Sequence, residues 1–284
     1  MENKMFCFQC QETAKGTGCT VRGVCGKLPE TSRWMDLLLS IVRGVGTVGH
    51  ALNEKQVTYE KVAAAEFIVD ALFATITNAN FDDQALLYKV DHGIIIKKQL
   101  LALAQNHGIA LPDYQEVKWG GEKSDYQNEG ERETVLRNID ADLRSLKELT
   151  VLGLKGMAAY YEHADRLNEH DEQIIDFMMK ALSMVSNPTA DMQSLIGLVL
   201  ETGKYGVDVM ALLDKANTQA YGNPEITKVN IGVGKNPGIL ISGHDLKDIE
   251  DLLEQTEGTG IDVYTHGEML PAHGYPELKK YPQL

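Results

Sequence analysis

The chain has 284 residues, 43% of them hydrophobic and 24% charged, a composition that fits one large or two ordinary packed domains and excludes disordered, collagen-like and low-complexity classes. Its 27 basic and 41 acidic residues leave a formal charge of −14, which opposes phosphate backbones and anionic lipid surfaces and argues against nucleic acid and membranes as partners. All four cysteines, Cys7, Cys10, Cys19 and Cys25, lie in the first 25 residues.

In chain order, Met1 to Cys7 offers no apolar run behind a basic start, so a secretory signal is not expected. No stretch reaches 18 uninterrupted apolar residues; even Val62 to Ile76 is broken by Glu66 and Asp70. The expectation is a cytoplasmic chain, whose clustered cysteines would hold a metal or do redox chemistry rather than form disulfides.

Residues 1–28 lack helical periodicity and contain Gly16, Gly18, Gly23 and Gly26, so they read as a loop wrapped around the ligand of the cysteines. The spacing C-x2-C-x8-C-x5-C can complete a four-thiolate shell. It suits an iron–sulfur cluster better than a structural zinc, whose close pairs usually recur as a second C-x2-4-C knuckle; zinc and incidental thiols stay open. Lys4, Lys15, Arg22 and Lys27 against Glu2 and Glu12 give this segment +2 and leave −16 for the rest. That island would favour an anionic cluster weakly.

From Pro29 the pattern becomes helical, with Thr31-Ser32 as a cap and Trp34, Leu37, Leu38, Ile41, Val42 and Val45 on one face. Further helices are expected at about 57–77, 83–106, 131–168, 171–186 and 189–218, with a polar linker near 120–130. Gly44-Val45-Gly46-Thr47-Val48-Gly49 satisfies G-x-G-x-x-G, but no strand precedes it, so close helix packing is the better reading. His50, His92, His107, His163 and His170 lie in or beside these helices and receive no role.

After Pro224 the period switches. Lys228 to Gly234 alternates, 238–242 and 261–264 read as strands, and 245–254 as the helix between them, one βαβ unit followed by a Pro- and Tyr-containing coil from Pro271. The fold class is mainly α: a cysteine loop at 1–28, a helical domain at 29–223, and the start of an α/β, Rossmann-like domain at 224–284. Such a unit cannot bury both faces of its sheet, so the apolar face of 239–264 is expected to be uncovered and to favour association with another chain. His244 and Glu268 each follow a strand, at the end where α/β sheets place ligands. A polar loop histidine and a surface glutamate are equally consistent with that position. His266-Gly267-Glu268 resembles the start of a zinc deaminase signature, but the downstream cysteines that this chemistry needs do not exist.

Three segments carry a resemblance. Phe6-Cys7-Phe8-Gln9-Cys10-Gln11-Glu12-Thr13, with Gly18-Cys19 and Gly23-Val24-Cys25-Gly26-Lys27, is similar to the amino terminus of the hybrid-cluster (prismane, or hydroxylamine reductase) proteins. The segments from Gly234 to Leu246 and from Tyr264 to His273 continue it. The resemblance implies a [4Fe-4S] cubane on Cys7, Cys10, Cys19 and Cys25. It also implies a second, hybrid iron–sulfur–oxygen cluster in the longer family protein, with the residues matching His244 and Glu268 among its ligands and catalytic positions. It implies further an oxidoreductase that reduces hydroxylamine to ammonia and water, with two electrons and protons consumed as the N–O bond breaks, and an electron-donor protein as partner. Nitric oxide reductase and S-nitrosylase activities are also associated with the family, whereas carbon monoxide dehydrogenases are related in architecture but match less well in their motifs. The chain is thus expected to be an N-terminal portion able to hold the cubane but not a complete hybrid cluster; the alternative is a stand-alone [4Fe-4S] electron-transfer module or subunit.

Overall fold

The computed structural model describes residues 5–77, 79–138 and 140–284. The fold is mainly α, with ten helices and one two-stranded sheet among the described residues. They form two compact units, one built from the chain up to Ala159 with Glu172–Asp208, the other from Tyr160–Asp171 with Val209–Leu284.

The first unit is organised on α1 (Pro29–Glu54). Leu37, Leu38, Ile41, Val42, Val45, Val48 and Leu52 are all fully buried, each contributing roughly 1.5–3 kcal/mol by leaving water. Around α1 pack α2 (Val62–Ala74), α3 (Asp83–Asn106), the short α4 (Gln115–Lys118), α5 (Tyr126–Arg132) and α7 (Glu172–Ser186). The two remaining long helices, α6 (Ala141–Asp165) and α8 (Met192–Tyr221), contribute residues to both units. Helix α1 is long and apolar enough to cross a membrane by length and composition, but 83% of that window is buried, as in the central helix of a bundle.

Differences from the sequence reading are local. The first helix begins at Pro29, with proline in the first turn and Leu28 at the N-cap, so Thr31 and Ser32 are buried helical residues rather than caps. The expected 57–77 helix starts at Val62, and the expected 131–168 helix starts at Ala141, where Asp140 Oδ1 accepts from the backbone N–H groups of Asp142 and Leu143 at 2.9 Å. Part of the polar linker folds as α5.

The G-x-G-x-x-G run lies inside α1 and serves packing. A Cβ on Gly44 would sit 2.4 Å from Glu116 O, on Gly46 2.7 Å from Leu182 Cβ, and on Gly49 2.7 Å from Met179 Sδ. Glycine in a helix interior normally costs about 1 kcal/mol relative to alanine; here it admits neighbouring chain at distances no side chain tolerates.

In the second unit, β1 (Gly238–Ser242) and β2 (Asp262–His266) pair in parallel with Gly238 opposite Asp262 and Ser242 opposite His266. Helix α9 (Leu246–Thr256) joins them, capped by Asp245, whose Oδ1 accepts from Lys247 N–H at 2.9 Å. Ile249, Leu253, Val263, Met269 and Tyr221 form this unit's core. Lys228 to Gly234 is not a strand: it has no ladder partner among the described residues, and Ile231 is 100% exposed. The tail is more ordered than a coil. A 3-10 run over Gly267–Gly274 and α10 (Pro276–Lys279) precede Gln283, whose carbonyl accepts from Val263 N–H at 2.7 Å. Leu240 on β1 remains 68% exposed, as expected of an uncovered apolar sheet face.

The packing role of the glycines sets opposite signs for one substitution. Gly44→Ala should lower stability by about 1–3 kcal/mol through overpacking, whereas Gly156→Ala in α6, where a Cβ meets nothing within 4 Å, should raise it by up to about 1 kcal/mol. Denaturant midpoints check this; equal shifts for the two variants would refute the packing account.

Candidate metal centre

The four cysteines sit on a loop with little core of its own, shaped by backbone pairing. Cys7 and Cys19 form an isolated antiparallel bridge, Cys7 N–H to Cys19 O at 3.1 Å and Cys19 N–H to Cys7 O at 2.8 Å. Between them the chain turns at Cys10, where Thr13 N–H donates to Cys10 O at 3.2 Å, and then passes through a 3-10 turn, Ala14–Gly16. Gly18 (φ +146°) returns the chain to the bridge, and a Cβ there would strike the Phe6 ring at 2.6 Å. A second turn carries Cys25: Gly23 N–H donates to Lys27 O at 2.8 Å, and Gly26 N–H to Gly23 O at 2.9 Å. Glu2 and Lys4, counted in the charge of this segment, lie outside the described residues.

Donors are already aimed at sulfur. Ala14 N–H donates to Cys19 Sγ at 3.4 Å, the Thr13 hydroxyl lies 3.7 Å from the same sulfur, and Lys27 Nζ is 4.0 Å from Cys7 Sγ. Burial pushes the Cys19 thiol up, but N–H groups of Ala14 and Val24, the Thr13 hydroxyl and the Lys27 charge outweigh it, leaving its pKa below the ordinary thiol value. Thiolates stabilised by N–H donors and a nearby ammonium are the donor set that an iron–sulfur cluster requires. From Cys19, which is buried, to Cys25, which is exposed, the site opens toward solvent.

Beneath the loop is a small cavity of about 30 Å³ lined by Phe6, Cys7, Gln9, Lys27, Asp36 and Lys155, among others. Desolvation, aided by Glu148, pushes the Asp36 carboxyl up to about 8 against the opposing charges of Lys155, Arg43 and Lys27. The folded chain therefore holds a proton that the unfolded chain releases from pH 3.8 upward, and stability falls as pH rises through that window to about 8. Asp36→Asn should gain on the wild type between pH 5 and pH 8, by at most about 1.4 kcal/mol per pH unit. Denaturation midpoints at the two pH values measure the gain, and a difference that stays constant would contradict it.

In the second unit the two strand-following residues occupy equivalent places. Ser242 and His266 are register partners and their Oγ and Nδ1 lie 2.9 Å apart; each strand then leaves through a positive-φ glycine, Gly243 (φ +156°) and Gly267 (φ +59°). The next residues are His244 and Glu268, so both come to the carboxyl end of the sheet, and both are exposed. Nearby, Glu162, His163 and Asp245 bring ligand-type atoms within 4.8 Å of one another. Periodicity had placed His163 among helix-edge residues; only the fold brings it to Asp245. That carboxylate is already committed, to the α9 cap and to an ion pair with Arg166, which also reaches Asp248 at 2.8 Å. The cluster is thus read as part of the anchorage of α9 beside His244.

A helical unit carrying a four-cysteine loop, followed by a parallel βαβ unit, defines the class. The family model for the Prismane/CO dehydrogenase family matches residues 5–284, and the chain belongs to that family. It is 54% identical over 281 residues to a hydroxylamine reductase of Porphyromonas gingivalis, covering 99% of this chain and 51% of that protein. It is equally 54% identical to one of Bacteroides fragilis (99% and 50%) and 52% identical over 280 residues to one of Desulfitobacterium hafniense (98% and 51%). The chain spans about half the length of the curated relatives it matches.

Proposed function

We propose that this chain provides the electron-entry half of a hydroxylamine reductase, with Cys7, Cys10, Cys19 and Cys25 holding a [4Fe-4S] cluster. Family membership implies an iron–sulfur cofactor, and the observation that supports the finer reading is the loop itself: four thiols on one short loop, with N–H and ammonium donors already directed at Cys19 and Cys7. When bound, such a cluster accepts and passes on single electrons.

The chain's own residues hold and tune that site. The Cys7–Cys19 bridge ties the backbones of two of the cysteines together, and Phe6 and Phe8, with ring centroids 5.6 Å apart, flank Cys7. Lys27, 3% exposed, places positive charge against Cys7. Cys25, exposed, gives a donor protein its approach. The reaction would combine hydroxylamine with two electrons and two protons to give ammonia and water. His244 and Glu268 supply an imidazole and a carboxylate toward a second, hybrid iron site, whose remaining thiolates this chain does not provide, since its four cysteines are all committed to the loop. The donor is a redox protein, the substrate a small nitrogen compound, and the setting the cytoplasm.

Protein purified without oxygen should be brown, with about four iron and four sulfide per chain and an EPR signal on reduction. Cys7→Ser and Cys10→Ser should each abolish the signal. A colourless protein that carries zinc instead would overturn the assignment, and hydroxylamine turnover by these 284 residues alone would show that no further ligands are needed.

A further inference from the structure

We propose that Lys155, on α6, is a positioning residue for the cysteine loop: its buried ammonium pins the segment between Cys7 and Cys10 and raises the reduction potential of the cluster held there. The inference rests on the cluster reading above and extends it to a residue remote in sequence.

Lys155 is 3% exposed. Its Nζ donates to Gln9 Oε1 at 3.1 Å and to the carbonyl of Thr75 at 3.0 Å. Gln9 stands inside the first cysteine pair, and Thr75 is the C-cap of α2. One ammonium therefore ties three segments together: the loop, the end of α2 and α6. Neither acceptor is a carboxylate, so hydrogen bonding satisfies the group without a counter-ion in direct contact.

The charge matters as well as the tether. Burying a cation costs several kcal/mol, and an apolar side chain of similar volume would fill the space more favourably. Lys155 lines the same small cavity as Cys7, Lys27 and Asp36. Lys155 and Lys27 place two buried ammonium groups along this cavity beside Cys7, with Glu148 and Asp36 as the acidic groups of its lining. Burial draws the Lys155 ammonium down to about 8, against the opposing charge of Glu148, which still leaves it protonated at neutral pH. Reduction adds an electron to a thiolate cluster that is already anionic. A fixed cation in low-dielectric surroundings stabilises the reduced form more than the oxidised form.

The test uses the anaerobically loaded chain with Lys155→Arg, Lys155→Gln and Gln9→Leu, reading iron and sulfide content and the midpoint potential by EPR-monitored titration. Lys155→Gln, which keeps a donor and removes the charge, should shift the potential to more negative values, while Lys155→Arg stays near the wild type. Gln9→Leu removes the acceptor and keeps the charge; it should lower loading and leave the potential of the loaded fraction in place. If Lys155→Gln loses its iron while Lys155→Arg keeps it, the charge is required to hold the loop, which also supports the proposal. Full loading with an unchanged potential in Lys155→Gln would overturn it, as would a Gln9→Leu potential that falls equally far. A wild-type chain that binds no iron would instead refute the cluster reading itself.

Discussion

The constraint on which the proposed site depends is that a loop with almost no apolar core must keep four cysteine sulfurs in a fixed array. Hydrophobic burial cannot do this for residues 5–28, where few side chains are buried. Backbone pairing and charge do it instead. The Cys7–Cys19 bridge closes the loop, Gly18 allows the Phe6 ring to lie against the returning chain, Lys27 folds inward within the loop, and Lys155 meets the loop from its buried side. Rigidity comes from the floor: α1 is fully buried along one continuous face, and α6 carries Lys155 to Gln9. The apolar packing of the first unit thus serves the chemistry indirectly, by giving two buried lysines fixed addresses.

That division explains what could be read from the sequence. The cysteine spacing, the helical periods and the parallel βαβ unit are local patterns, and they survive folding with boundary shifts of a few residues in most elements. The G-x-G-x-x-G run was interpretable because a nucleotide loop needs a preceding strand, and the structure supplies the partners: Glu116 O, Leu182 and Met179. Lys155, Asp36 and His163 were not legible. Lys155 and His163 acquire their roles from residues about 80 or more positions away, with no spacing to announce it, Lys155 from Thr75 and Gln9, His163 from Asp245, and Asp36 acquires its role from burial. Alternation misled at Lys228 to Gly234, since a period of two becomes a strand only where a neighbour can accept its hydrogen bonds.

The second unit shows the same logic in a different geometry. Parallel pairing of Ser242 with His266 forces the residues two places further on, His244 and Glu268, to equivalent positions, and the two glycines between let both strands turn out of the sheet at that point. A one-residue change in register would separate them. Arg166, paired with Asp245 at the start of α9, restrains the residue adjacent to His244 from the turn that follows α6. Two groups that differ in chemistry are therefore brought to one sheet edge by backbone register.

On the proposed reading the loop carries four irons on four separate cysteine sulfurs rather than one ion among them. Native mass spectrometry of the anaerobically produced chain measures this directly. A single bound species with the mass of four iron and four sulfide, absent from Cys19→Ser, is the expected result; a species with the mass of one zinc, retained with all four cysteines intact, would overturn the assignment.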